Sequence, residues 1–129
     1  MITAIVVDDD EDAVEVFSEY LQIKGIEVIG KACDGLQAVK LYQKLKPDVI
    51  FLDVMMDKYD GFFALEKIRE IQNDAIIIMV TADLTADTAD KLSKLNASSV
   101  VYKPYDIDQI MRTITKLVPL KINTLERSR

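Results

Sequence analysis

The chain has 129 residues, half of them apolar and 29% charged, with 4 glycines and 3 prolines, a composition that describes one globular domain and excludes a disordered one. Sixteen basic against 22 acidic side chains leave a formal charge of −6, which provides no electrostatic reason to bind nucleic acid or a membrane surface directly. Histidine is absent and Cys33 is the single cysteine, so a Ser-His-Asp or Cys-His nucleophile, a His-ligated metal, a phosphohistidine of its own and an internal disulfide are all excluded.

The first seven residues, followed by Asp8-Asp9-Asp10, carry no basic segment of a leader. No apolar run approaches the ~20 residues of a membrane span. The expected location is cytoplasmic. Thr3 to Val7 predicts a first strand, and Ala13, Phe17, Tyr20 and Leu21 predict one face of a first helix. Residues 28–33 predict a second strand, interrupted by Gly30 and Lys31 and therefore suited to a sheet edge. A second helix follows on Ala38, Leu41, Tyr42 and Leu45. Residues 49–52 form a third run closing on Asp53, and Leu65, Ile68 and Ile71 a third helix. Residues 76–80 lead to Thr81, and Leu84, Ala89, Leu92 and Leu95 predict a fourth helix entered by Thr85. Ser99 to Tyr102 lead to Lys103. Ile107, Ile110, Met111, Ile114 and Leu117 predict a fifth helix, entered by Asp106 and stopped by Pro119. That places a domain on residues 1–119 and a tail or linker stub on 120–129.

The first, third and fourth runs are apolar throughout, as in strands covered on both faces. Five strand-helix alternations predict an α/β fold, a doubly wound parallel sheet with helices on both sides. In such sheets ligands bind beyond the carboxyl ends of the strands. Four of those ends carry chemistry: Asp8-Asp9-Asp10, Asp53, Thr81 and Lys103. Each residue alone reads as a turn, a helix cap or a solvated charge, and Asp10 and Asp12 read as helix-entry residues. Together they describe a site. If the first and third strands are neighbours, their ends lie about 4.8 Å apart, close enough for Asp8 or Asp9 and Asp53 to share one cation. Carboxylates so crowded repel one another, and Mg²⁺ relieves this using one or two of them while keeping positions for water and phosphate oxygens.

These motifs in combination resemble the receiver domain of two-component response regulators, the family that includes the single-domain chemotaxis regulator. The resemblance runs from residue 1 to about 117. It rests on Val6-Val7-Asp8-Asp9, on Leu52-Asp53 with Met56 and Asp60-Gly61 after it, on Thr81-Ala82 and on Lys103-Pro104. It implies a flavodoxin-like five-stranded sheet of order 2-1-3-4-5 with five helices. Asp53 would accept a phosphoryl group from a histidine kinase or phosphotransfer protein. Mg²⁺, with Mn²⁺ as an acceptable substitute, would be held by Asp8, Asp9, Asp53 and the backbone carbonyl of Met55. Lys103 would pair with Asp53 and then with a phosphoryl oxygen, and Thr81 would reach another oxygen only once phosphate is present. Output would be a protein-protein contact through the fourth helix, fifth strand and fifth helix, by a monomer or weak homodimer.

Two positions depart from the family pattern. Asp57 stands where proline is usual, four residues after the acceptor, and its carboxylate reads as solvated. Val100 stands where an aromatic residue often reports activation, and Tyr102 does not replace it by position. Met55 and Asp83 are placed to hinder and to orient, respectively, the water that attacks an acyl phosphate. A binding module working without phosphorylation is the alternative. A phosphatase fits less well, since Met55 occupies the position of its second acid, and a flavin carrier less still, since three Asp would repel a flavin phosphate.

Overall fold

The computed structural model describes the backbone of residues 1–127 and the side chains of residues 1–118. In chain order the elements are β1 (Thr3–Val7), α1 (Glu11–Ile23), β2 (Glu27–Ala32), α2 (Gly35–Leu45), β3 (Val49–Asp53), α3 (Gly61–Ile71), β4 (Ile77–Thr81), α4 (Ala86–Lys94), β5 (Ser99–Tyr102) and α5 (Ile107–Arg127). The strands form one parallel sheet of order β2-β1-β3-β4-β5. This is the five-stranded, flavodoxin-like arrangement expected above. Two of its strands extend one residue past their apolar runs. Asp53 pairs with Val80 and Thr81 with Tyr102, so both polar residues are the last rungs of the ladder rather than the first residues of a loop.

Side chains alternate across a strand, and the alternation sorts the core into two layers. Ile5, Val7, Ile50, Leu52, Ile77 and Met79 face α2, α3 and α4, meeting Ala38, Tyr42, Leu65, Ile68 and Leu92. Ala4, Val6, Val49, Phe51, Ile78 and Val80 face α1 and α5, meeting Val14, Phe17, Leu21, Ile110 and Ile114. Both faces are covered, which is why these strands read as continuous apolar runs. β2 lies at the edge, with only Ala32 of its residues fully buried.

The helices begin where their caps dictate. Asp10 accepts from the N–H groups of Asp12 and Ala13, Asp34 from Gln37, Asp60 from Phe63 and Thr85 from Thr88. Asp106 accepts from the N–H groups of Asp108 and Ile110. Four sequence expectations need correction. The buried stripe of α1 is Val14, Phe17, Ser18 and Leu21, whereas Tyr20 is 46% exposed; the true i, i+3, i+4, i+7 pattern contains a serine and so reads less clearly. Leu84 precedes the Thr85 cap and is 75% exposed, and Ala89 faces solvent, so α4 buries Leu92 alone. Ile71, in the last turn of α3, is also exposed. Finally, α5 does not stop at Pro119 but runs to Arg127. Proline forfeits one backbone hydrogen bond and crowds one carbonyl, a local defect that a helix already propagated from Ile107 passes. Among the described residues no helix is long and apolar enough to cross a membrane.

Candidate functional site

The carboxyl ends of β1, β3, β4 and β5 form one rim. Asp8 follows β1 and is held there by its N–H, which donates to the Ala32 carbonyl at 3.2 Å. Its Oδ1 accepts from the Asp10 N–H at 3.0 Å. Asp53 ends β3 at 7% exposure, and its Oδ1 accepts from the Met55 N–H at 3.1 Å. The Lys103 ammonium donates to Asp53 Oδ2 at 2.8 Å and to Asp8 Oδ2 at 3.3 Å. Three residues far apart in sequence thus meet through one Nζ. Lys103 is brought there by its own N–H, which donates to the Thr81 carbonyl at 2.8 Å, and the peptide bond to Pro104 is cis.

Burial dominates the electrostatics. Desolvation raises the Asp8 carboxyl above its ordinary 3.8, the Asp10 N–H opposes this, Asp53 adds to it and Lys103 opposes it. Burial alone would lower the Lys103 ammonium, but its hydrogen bonds and charge interactions with Asp53 and Asp8 leave it above 10.5. Lys103 therefore stays charged at neutral pH, as a counter-ion to two carboxylates.

The remaining expected residues lie around this centre in different ways. Thr81 is fully buried, and its Oγ1 accepts from the Asp83 N–H at 2.9 Å. Asp9 is exposed at the rim, where its Oδ2 accepts from the Asp57 N–H at 3.3 Å. Met55 is 63% exposed beside the acid. The Asp83 carboxylate is engaged at the start of α4, accepting from the Thr85 N–H at 2.8 Å and the Thr88 hydroxyl at 2.7 Å. That turns it toward α4, contrary to the expectation that it orients water at Asp53. Val100 packs at the margin of the core under α2 to α4, and Tyr102 is 41% exposed beside Thr81.

Sequence reading gave no role to three residues that shape this rim. A Cβ on Gly61 would overlap the carbonyl oxygen of Asp53, and one on Gly35 that of Tyr59, so both glycines are demanded by close backbone approach. Tyr105 packs edge-on to Phe17, which packs edge-on to Phe51. A cavity of about 40 Å³ bounded by these rings also touches Asp8, Asp53 and Lys103. The one advance signal was the Asp60-Gly61 pair. The aromatic contacts join residues whose spacing carries no sign of proximity.

The donor set suits a hard cation. Among the described residues no three acidic side chains close on one point, which a small divalent ion does not require, since Mg²⁺ takes one or two carboxylates and completes its shell with water. Asp8 and Asp53 already share one positive charge, the Lys103 ammonium. A cleft of about 350 Å³ borders Asp8, Glu11, Asp12 and Glu15, the last paired with Lys31 of the same cleft at 2.9 Å, and the remaining excess of acids favours cations near the rim.

Known proteins share this fold and much of its sequence pattern. The family described as response regulator receiver domain matches residues 4–115. The chain is 30% identical over 119 residues to sporulation initiation phosphotransferase F of Bacillus subtilis (strain 168), covering 92% of this chain and 95% of that one. It is also 30% identical over 112 residues to the chemotaxis protein CheY of the same organism, covering 87% and 93%. A solved CheX-CheY-BeF3-Mg complex from Borrelia burgdorferi superimposes with a TM-score of 0.84 at 26% identity, covering 89% of this chain and 87% of that one.

Proposed function

This chain belongs to the response regulator receiver domain family, and from that premise we propose that it is a signalling switch whose Asp53 accepts a phosphoryl group from a phosphohistidine in a Mg²⁺-assisted reaction. The observation that carries this reading is Asp53 itself: a buried strand-end carboxylate fixed on one oxygen by the Met55 N–H and on the other by Lys103, with Asp8 alongside.

Phosphoryl transfer asks mainly for positioning and charge neutralisation. The Asp53 carboxylate attacks phosphorus in line, a new P–O bond forms, and the P–N bond to the donor imidazole breaks. Lys103 stays on the rim and exchanges its Asp53 oxygen for a phosphoryl oxygen, a charge-assisted bond that grows as charge shifts outward. Asp8, Asp9, Asp53 and the Met55 carbonyl would hold Mg²⁺, with Mn²⁺ as a substitute. When bound, the ion neutralises the phosphoryl oxygens that would otherwise be repelled by these acids.

The same geometry supports a switch. Thr81 Oγ1 receives the Asp83 N–H, which leaves the hydroxyl proton to donate to a phosphoryl oxygen. Any inward pull on Thr81 acts through Asp83 on the start of α4, where Asp83 holds Thr85 and Thr88. α4 buries one residue of its nine, so it is the helix least expensive to move. Leu84 and Tyr102 stand exposed near it, and they mark the face for a downstream protein. The donor would be a histidine kinase or phosphotransfer protein. The protein would act in the cytoplasm and make no nucleic-acid contact of its own.

Acetyl phosphate with Mg²⁺ should add one phosphoryl group to the wild type, seen by intact-mass spectrometry, and none to Asp53→Asn or to a chelator-treated sample. A wild type that takes no label from acetyl phosphate or from a phosphohistidine donor would instead establish the phosphorylation-independent binding module.

A further inference from the structure

Residue 57 breaks the usual pattern of the loop after β3, and the structure shows what the break supplies. The Asp57 side chain is exposed, but its main-chain N–H donates to Asp9 Oδ2 at 3.3 Å. A proline at this place has no such hydrogen to donate.

The donor is not on a loose loop. Met56, one residue earlier, is buried in the core at 8% exposure. The Gly61 N–H closes the loop onto the Val54 carbonyl at 3.0 Å, and the Gly35 N–H reaches the Tyr59 carbonyl at 2.5 Å. The Tyr59 ring rests against Phe63 with centroids 4.9 Å apart. Pinned at residues 54, 56, 59 and 61, the loop presents the residue-57 amide at a set position beside Asp9.

Asp9 stands in the opposite condition. It is exposed at the rim, where a carboxylate has rotamers to lose on binding a cation. A donor already in place removes part of that cost, and it takes only one of the carboxylate's several lone pairs. Outer-shell donors of this kind orient metal-binding groups and tune their affinity. We propose that the main-chain N–H of Asp57, and not its carboxylate, positions Asp9 for the divalent cation, tying the loop after the acceptor strand to the cation site. The inference rests on the metal-assisted reading above and adds to it a residue acting through Asp9.

The two natures of residue 57 separate by substitution, because Asp57→Ala retains the N–H and Asp57→Pro removes it. Amide shifts in NMR titrations with Mg²⁺ alone would yield the dissociation constants. Asp57→Pro is expected to bind roughly tenfold more weakly than Asp57→Ala. Equal constants for the two replacements would overturn the proposal. A second measurement does not depend on the proline variant folding: in metal-free protein the Asp57 amide should exchange with solvent severalfold faster in Asp9→Ala than in the wild type. Identical exchange would also overturn it. A wild type that takes up no Mg²⁺ at all would remove the metal-assisted reading itself, a result distinct from equal constants in proteins that do bind.

Discussion

Three consecutive aspartates take three different tasks. Asp10 caps α1 through two N–H groups, Asp9 faces the loop after β3, and Asp8 is buried between Asp53 and Lys103. Their chemistry is identical, so only their surroundings distinguish them. Asp8 carries the cost of the site. Because burial and Asp53 raise its carboxyl above 3.8, ionising it opposes folding. The penalty is absent in acid, where folded and unfolded states are both protonated, and grows as pH rises from 3.8 through the folded value. Asp8→Asn is therefore expected to be more stable than the wild type at pH 7 by roughly 1 kcal/mol, with the gain vanishing toward about pH 3. Urea midpoints at the two pH values measure this, and a gain equal at both would contradict it. The same variant should take up Mg²⁺ poorly. Lys103 has the opposite sense: raised above 10.5 by its partners, it contributes stability at all lower pH and loses it only as pH rises through the folded value.

At the scale of elements, the side chains at the ends of β1, β3 and β4 each hold the loop that follows, Asp8 through the Asp10 N–H, Asp53 through that of Met55 and Thr81 through that of Asp83. Gly61 opens α3 directly against the Asp53 carbonyl. Gly61→Ala should cost about 2 kcal/mol or more, since the obstacle is backbone and does not yield, and it should slow labelling of Asp53 because the strand end must shift. A melt unchanged from wild type would show that the loop yields after all. At the other end of the sheet Arg69 of α3 joins separate turns. Its guanidinium donates to the carbonyls of Asn96 at 2.9 Å, Asn73 at 3.2 Å and Ala75 at 2.5 Å, and to Ser98 Oγ at 3.0 Å. Arg69→Ala removes the donor from the Asn96 and Asn73 carbonyls, while Ala75 and Ser98 keep their hydrogen bond to each other and Ser98 keeps that from the Ile77 N–H; it is expected to cost about 1–2 kcal/mol, with Arg69→Lys recovering little because an ammonium lacks the fork. Labelling of Asp53 should persist in both, since the clamp sits away from the site; loss of labelling in a folded Arg69 variant would count against this division. Of these features the caps Asp10, Thr85 and Asp106 were legible in sequence, because a cap acts over two or three residues. The Arg69 clamp was not, because its partners at 96 and 98 lie in another turn.

On the scale of the whole molecule, two apolar layers enclose the sheet while one rim gathers the charge. Crowding Asp8 and Asp53 there is tolerated because Lys103 bridges them and because Ile110 and Ile114 of α5, with Phe51 and Val80, complete the layer beneath. Among the described residues that layer extends to Val118. Ile114→Ala opens a cavity in that layer, where Ile114 is fully buried, and is expected to cost about 2–5 kcal/mol, read from urea midpoints; an unchanged midpoint would show that α5 does not complete the core.

The amino-acid sequence by itself determined the alternation of five strands and five helices, the central place of the all-apolar runs, and the arrival of acids, a hydroxyl and an amine at strand ends. These are periodic or local properties, written within a few neighbouring residues. The tertiary structure alone decided that Ser18 rather than Tyr20 is buried, that Gly61 sits against Asp53, that Asp83 turns to α4, and that Asp57 touches Asp9. Each of these depends on which surfaces pack together or on residues distant in the chain, such as the 48 positions between Asp9 and Asp57 or the 95 between Asp8 and Lys103. Folding brings such residues together through burial of the layers between them, and no local pattern records that.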